Sequence, residues 1–254
     1  TVAIVTGVPL GTLIGQSFGW RATFWAVAAL GVVAFAGVAL LLPRGIGMAP
    51  PARLIDQLRV LGSGRLLLVF AMTALGYGGT FVTFTFLTPI LEDITGFQPS
   101  SVSLILVLYG AAIAVGNLVG GRIADRDPVR ALAVLFALQV LVLVALTFTT
   151  GNKPAILITL TAMGFLQFAT VPGLQLYVVQ LARRYRPDAV DVASALNIAA
   201  FNLGIAIGGL VVTSTLGLGA TPWVGAILVA GAMALTLRSG ALDRDSAGAL
   251  VRQP

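Results

Sequence analysis

The sequence has no cysteine and no histidine among its 254 residues, and only 9% of its residues are charged. The missing cysteine excludes disulfides and thiolate metal sites, and the missing histidine excludes an imidazole ligand, base or pH switch. With few carboxylates as well, we expect no enzyme active site, no cofactor and no bound metal. A soluble domain usually carries about a quarter charged residues, so this composition excludes a soluble fold.

Long apolar runs take the place of the missing charge. The chain is 58% hydrophobic, and its mean hydropathy is +1.01. A membrane-spanning helix needs about 20 apolar residues. Seven neutral stretches meet that need, and the last of them is long enough for two helices with a turn near Thr213–Pro222. The sequence predicts an all-α integral membrane protein with about eight spans, at roughly 1–18, 24–42, 66–88, 102–119, 131–149, 155–181, 192–213 and 223–237.

The net charge of +6 would fit a nucleic-acid partner only if the basic residues clustered. Instead they lie scattered in the loops between apolar runs, so we expect no nucleic acid and a lipid bilayer as the partner. All the basic residues except Arg21 and Lys153 fall in alternate loops and in the tail after the last helix. The positive-inside rule makes those loops cytoplasmic. The protein is therefore predicted to be multi-pass in the cell inner (cytoplasmic) membrane, with a cytoplasmic C-terminus.

The opening stretch TGVPLGTLIGQSFGWRATF is unusual for a helix. Gly7, Gly11 and Gly15 recur every fourth residue and share one face, and Pro9 interrupts the backbone hydrogen bonds. In lipid, small residues mark close helix–helix contacts. Ordinary packing of one helix against another would suffice to explain the pattern. The stretch nevertheless predicts a bent helix with a glycine face for a neighbouring backbone.

The residues around this helix resemble the fifth-helix antiporter motif of the major facilitator superfamily, in its drug:proton antiporter branch of arabinose-efflux and chloramphenicol-export proteins. In that motif a Gly-x-Pro-x-Gly helix is followed by Gly-Trp-Arg in a short outer loop and a Phe that opens the next helix. The positions that match are Gly7, Pro9, Gly11, Gly19, Trp20, Arg21 and Phe24. Val8 stands where the commoner version has a glycine.

Two further stretches resemble the same family. GNLVGGRIADRDPVR resembles its Gly-x-x-Ala-Asp-Arg cytoplasmic loop, with matches at Gly121, Ala124, Asp125, Arg126 and Arg130, although ADR alone would also fit a generic charged loop. Asp125 could pair with arginines of a neighbouring helix end and latch one conformation. SALNIAAFNLGIAIGGLVV, with Gly204 and Gly208 spaced as GxxxG, resembles helix eleven.

The resemblance implies that the eight helices are helices 5–12 of a twelve-helix fold and that Thr1 is an internal position of a longer protein. Residues 1–42 would then be the last two helices of the N-terminal bundle, and 43–65 a cytoplasmic linker. Residues 66–238 would be the C-terminal six-helix bundle, and 239–254 a cytoplasmic tail. The proline-rich loop after residue 42 falls where the superfamily joins its two halves.

Transporters of this type bind solutes near the bilayer midplane. Polar or aromatic residues within the spans are therefore candidates for the solute pathway, although Thr, Asn and Gln in a membrane often serve only to join helices. One predicted face of the third helix carries Tyr77, Thr80, Phe84 and Thr88. The candidates on the other helices are Tyr109, Asn117, Gln167, Thr170, Gln175, Asn197 and Asn202.

These candidates carry no formal charge, which favours a neutral or moderately apolar solute. Proton coupling normally needs an ionisable group inside the membrane, and the predicted spans contain none; Glu92 and Asp93 lie at a helix end. The resemblance implies a monomeric exporter of drugs, sugars or metabolites, driven by proton antiport, with its coupling residues outside this chain. A facilitator or importer of the same fold, a helix bundle without transport, and a membrane enzyme are the alternatives.

Overall fold

The computed structural model describes residues 7, 10, 11, 13–15, 17–42, 59–215 and 217–251. Within them, seven helical segments are long and apolar enough to cross a membrane, and they correspond to the second to eighth predicted spans. The first predicted span lies largely outside the described residues, as do Pro9 and residues 43–58 of the predicted linker. The seven helices are α1 (Trp20–Leu41), α2 (Gly64–Thr85), α3 (Pro99–Ala124), α4 (Pro128–Thr149), α5 (Lys153–Tyr185), α6 (Val190–Thr215) and α7 (Thr221–Val251).

Local chemistry sets the starts of α4 and α5. The Asp127 carboxylate accepts a hydrogen bond from the backbone N–H of Arg130 at 3.0 Å, and the Asn152 side chain accepts one from Ala155 at 3.1 Å. Each cap is followed within two residues by a proline, which a first helical turn tolerates because its N–H has no helical partner. These caps define the sharp turns between α3, α4 and α5.

The end of α2 corrects the predicted face of that helix. The prediction carried the helix to Thr88, but α2 ends at Thr85. A short helical turn, Leu87–Pro89, and a π-helical turn, Ile90–Ile94, follow. The ring of a proline clashes with the carbonyl four residues earlier, and for Pro89 that residue is Thr85. Thr88 therefore lies beyond the helix, where it is exposed to the surroundings.

Two other helices run further than expected. The α5 helix continues from Lys153 to Tyr185 with Pro172 in its interior, and α7 extends past the predicted end at residue 237 to Val251. In a packed bundle, neighbouring helices and side chains compensate for the hydrogen bond that an internal proline removes. Much of the predicted tail is thus helical.

The helices α2 to α7 share one apolar core, and α2 has the central place in it. It packs against α5, α6 and α7, while α3 packs on α5 and α4 packs on α5 and α7. By contrast, α1 buries none of its residues. The starts of α2, α4 and α6 and the ends of α3, α5 and α7 gather at one end of this bundle, which we call the arginine-rich end.

Glycines bring these helices into backbone contact. A Cβ added to Gly204 of α6 would lie 2.2 Å from the carbonyl oxygen of Ala74, and one on Gly208 would lie 2.7 Å from Val82. This GxxxG face is therefore packed closely against α2. The glycines of the first predicted helix differ. Among the described residues, a Cβ on Gly11 or Gly15 would meet only Thr23, at 3.5 and 3.4 Å, and one on Gly7 would meet no atom within 4 Å.

Candidate solute-binding elements of the helical bundle

A chain of polar side chains joins α2, α5 and α6. The Thr73 hydroxyl donates to Oδ1 of Asn197 at 2.7 Å, and Nδ2 of Asn197 donates to Oε1 of Gln175 at 3.0 Å. The Gln175 amide in turn donates to the hydroxyl of Ser194. We call these four residues the amide chain. Since Thr73 and Asn197 are fully buried and Gln175 is half-buried, the chain leads from the core towards its surface.

An aromatic cluster adjoins the amide chain along α2. The Tyr77 ring lies 4.5 Å from that of Phe201 on α6 and 6.0 Å from that of Phe168 on α5, measured between centroids. Phe81 packs on Tyr77 at 4.6 Å. Phe84 then stacks on Tyr109 of α3 at 5.4 Å, with the two rings 16° from parallel. The six aromatic side chains Tyr77, Phe81, Phe84, Tyr109, Phe168 and Phe201 are the aromatic cluster.

Tyr109 also connects the cluster to a second amide. Its hydroxyl donates to Oε1 of Gln167, which is 1% exposed. The other amide atom of Gln167, Nε2, has no partner among the described residues. A buried donor without a partner costs about 1–3 kcal/mol, so Nε2 of Gln167 is available to donate a hydrogen bond.

The remaining candidates are less suited to bind a solute. Thr80 and Thr170 donate to carbonyls of their own helices, at 2.8 Å each, as threonines in membrane helices commonly do. Asn202 is exposed and donates to the carbonyl of Ile198 at 2.9 Å. Asn117 is half-buried on α3, eight residues beyond Tyr109. The structure thus unites Tyr77, Phe84, Tyr109 and Gln167 in one group and Gln175 and Asn197 in another.

Several members of these groups were absent from the sequence-based set: Thr73, Ser194, Phe81, Phe168 and Phe201. Helical spacing could have found two of them, because Thr73 lies four residues before Tyr77 and Ser194 three residues before Asn197. The phenylalanines gave no comparable signal, since an aromatic residue in an apolar run is ordinary. Gln139 was also overlooked. It is fully buried on α4, and neither of its side-chain polar atoms has a partner among the described residues.

The charged contact at the arginine-rich end differs from the expected one. Asp125 is exposed and has no ion pair with any described residue. Instead, Arg65 at the start of α2 pairs with Asp243 near the end of α7. The Tyr177 hydroxyl of α5 also donates to Asp243, at 2.7 Å. This contact ties the two ends of the chain's six-helix core together, and a one-dimensional motif gave no indication of it.

The chemistry available in the amide chain and the aromatic cluster is recognition. Amides and hydroxyls donate and accept hydrogen bonds, and aromatic faces bind planar apolar groups. Neither group contains Asp, Glu, Lys or Arg. The arrangement is therefore suited to an uncharged solute that has both an aromatic or apolar part and hydrogen-bonding groups.

Comparison with known proteins gives relatives along nearly the whole chain. The chain is 52% identical over 239 residues to an "Uncharacterized MFS-type transporter YtbD" of Bacillus subtilis (strain 168), and the aligned part covers 93% of this chain and 60% of the relative. It is 35% identical over 243 residues to the "Inner membrane transport protein YdhP" of Escherichia coli (strain K12), with 94% and 61% covered. It is 39% identical over 222 residues to a "Chloramphenicol resistance protein" of Streptomyces lividans, with 85% and 55% covered.

The chain spans about 60% of the length of these curated relatives. The family model for the Major Facilitator Superfamily matches residues 1–209, which is most of the chain and includes the first two motifs whole and the third as far as Gly209. The helical membrane architecture agrees with that match. YtbD and YdhP are named as transport proteins, in keeping with the expectation that the chain is not an enzyme. The chain belongs to the Major Facilitator Superfamily.

Proposed function

We propose that this chain is part of a secondary active transporter that exports small uncharged solutes across the cytoplasmic membrane by alternating access. The observation that carries the proposal is the amide chain beside the aromatic cluster, where α2, α5 and α6 meet. Transporters of this type bind their solutes at such helix interfaces near the midplane. The resistance protein and the efflux-type motif on Gly7 and Gly11 favour export over import.

The distribution of arginine indicates which end of the bundle faces the cytoplasm. With the arginine-rich end in the cytoplasm, Arg65, Arg122, Arg130 and Arg184 all lie on the cytoplasmic side, as the positive-inside rule requires. The C-terminus is then cytoplasmic as well. In this orientation the amide chain lies towards the cytoplasm and the aromatic cluster towards the outside. An uncharged solute would meet hydrogen-bonding groups first on its way out.

Proton antiport forms the second part of the proposal, and it is supported by the antiporter motif alone. The described spans place no carboxylate in either the amide chain or the aromatic cluster. The coupling group is therefore expected in a part of the protein other than these two groups. We infer that the residues described above set solute affinity and do not carry the proton.

The test is transport by the full-length protein in everted membrane vesicles, with a panel of uncharged aromatic amides and alcohols, sugars and dicarboxylates. Energised vesicles should accumulate the uncharged solutes, and their uptake should collapse the pH gradient. Accumulation only in right-side-out vesicles would identify an importer instead. Transport of charged solutes alone would contradict the assignment of an uncharged substrate.

A matched pair of variants tests the amide chain. Asn197→Ala removes one buried and one partly buried hydrogen bond that hold Thr73 and Gln175 in place. The KM for the transported solute should rise about tenfold or more, since each bond is worth roughly 1 kcal/mol. Asn202→Ala changes the same residue type in the same helix, but at an exposed site whose amide donates to the backbone carbonyl of Ile198. Equal effects of the two variants on the KM would contradict the assignment of the amide chain to the solute pathway.

A further inference from the structure

A surface groove follows the seam between α3 and α5 and continues past α4 at the arginine-rich end. It consists of two adjoining cavities of about 670 and 460 Å³ that share Phe165. Five side chains of α3 line it: Leu108, Ala112, Val115, Val119 and Ile123. At 1.5 Å per residue these five side chains extend over about 22 Å along α3. One leaflet of the hydrocarbon core is about 15 Å thick, so the groove is longer than one leaflet.

Backbone contact beneath the groove gives it this shape. A Cβ on Gly116 would lie 2.0 Å from the carbonyl oxygen of Phe165, and one on Gly120 would lie 2.1 Å from that of Ala169. The α3 and α5 backbones therefore touch, and the larger side chains of both helices stand outside the contact as walls. Leu108, Val115 and Ile123 remain 43–53% exposed. The walls are apolar for nearly the whole length.

The end of the groove at the arginine-rich end is charged. Arg126, Asp127 and Arg130 line its mouth. The Asp127 carboxylate already accepts a hydrogen bond as the cap of α4. Neither Arg126 nor Arg130 has an ion pair with any described residue, and both are exposed. Two guanidinium groups beside one capping carboxylate leave a net positive mouth on an apolar groove.

We propose that this α3–α5 groove binds an anionic phospholipid, with an acyl chain along the apolar walls and its phosphate at Arg126 and Arg130. Arginine is the side chain best suited to a phosphate, because its planar fork donates two parallel hydrogen bonds. Basic pockets between membrane helices on the cytoplasmic side are favourable sites for anionic headgroups. The groove matches both halves of such a molecule, and the site is separate from the amide chain and the aromatic cluster.

The proposal is tested with the full-length protein in phosphatidylcholine nanodiscs that contain increasing fractions of phosphatidylglycerol. The measurement is the fraction that gives half of the maximal rise in thermal unfolding temperature. The double variant Arg126→Gln/Arg130→Gln should need about ten times more phosphatidylglycerol than the wild type, because charge-assisted hydrogen bonds are roughly twice as strong as neutral ones. Ala162→Phe, which fills the apolar part without changing charge, should also raise the required fraction.

The control variant is Arg183→Gln/Arg184→Gln, which removes the same charge from the last turn of α5 outside the groove. It should keep the wild-type requirement. An equal loss in the control would mean that general surface charge attracts the lipid, and would overturn the site. An equal stabilisation by inorganic phosphate in pure phosphatidylcholine would overturn the lipid as ligand. An unchanged requirement in Ala162→Phe would overturn the placement of the acyl chain.

Discussion

The glycines of the first predicted helix and those of α3 have the same spacing in the sequence, but their surroundings among the described residues differ. Gly7, Gly11 and Gly15 repeat every fourth residue, as do Gly116 and Gly120. A Cβ on Gly11 or Gly15 would be at an ordinary contact distance from Thr23, whereas one on Gly116 or Gly120 would collide with a backbone carbonyl. Spacing shows only that a close approach is possible. The partner helix decides whether it occurs.

The same contrast holds for whole helices. α1 is highly apolar and buries nothing, with Phe24 and Trp25 69% and 76% exposed. α2 is less apolar over its best window and buries more than half of its residues. Apolar residues that face other protein and apolar residues that face lipid satisfy the same hydrophobic requirement in a membrane. Hydropathy therefore identifies both α1 and α2 as spans, but it does not show that α2 is largely buried among the described residues and α1 is not.

The largest effect is expected for Gly116→Ala. The new methyl group has no room beside the carbonyl of Phe165, so α3 and α5 must separate, at a cost of about 3 kcal/mol. The measurement is the thermal unfolding temperature and folded yield of the full-length protein in detergent. Gly121→Ala is the control in the same helix, because its Cβ would lie 3.9 Å from the nearest atom. A loss of similar size in Gly121→Ala would refute the steric explanation.

A smaller effect is expected for Asp243→Asn at the arginine-rich end. It removes the charge opposite Arg65, and because both side chains are partly exposed we expect a loss of about 1 kcal/mol. High salt should weaken the wild type and leave the variant unaffected. Asp125→Asn is the matched control, since Asp125 has no ion pair with any described residue. Greater destabilisation by Asp125→Asn would support the hypothesis that Asp125 pairs with a neighbouring helix end and latches one conformation.

The smallest effect is expected for Gly11→Ala. An alanine fits at ordinary contact distance from Thr23, and the change improves helix propensity by up to about 1 kcal/mol. The unfolding temperature should therefore stay the same or rise slightly. A loss as large as that of Gly116→Ala would break the comparison, and would show that the glycine face packs tightly against a part of the protein outside the described residues.

The sequence predicted the seven described spans to within a few residues at most ends, and the errors have local causes. The end of α2 was missed because the position of Pro89 was not weighed against the carbonyl of Thr85. The extension of α7 was missed because the charged residues after 237 were taken as the end of the span. Charge ends a membrane span, but it does not end a helix.

The candidate site was predicted only in part. Tyr77, Gln167, Gln175 and Asn197 were chosen as polar or aromatic residues within the spans, and the structure gives each of them contacts on another helix. Asn202 met the same criterion and is exposed. Two asparagines five residues apart on one helix lie about 140° apart around its axis. The sequence does not say which of those directions faces protein.

The sequence by itself determined the membrane class, the number of the described spans and most of their limits, and the uneven distribution of arginine, because hydropathy and charge are local properties of the chain. Only the tertiary structure decided which glycines touch a backbone and which amides pair. The bond between Thr73 and Asn197 joins residues 124 positions apart. Such a contact depends on the rotation and depth of both helices in the bundle, and those are set jointly by every helix that packs against them.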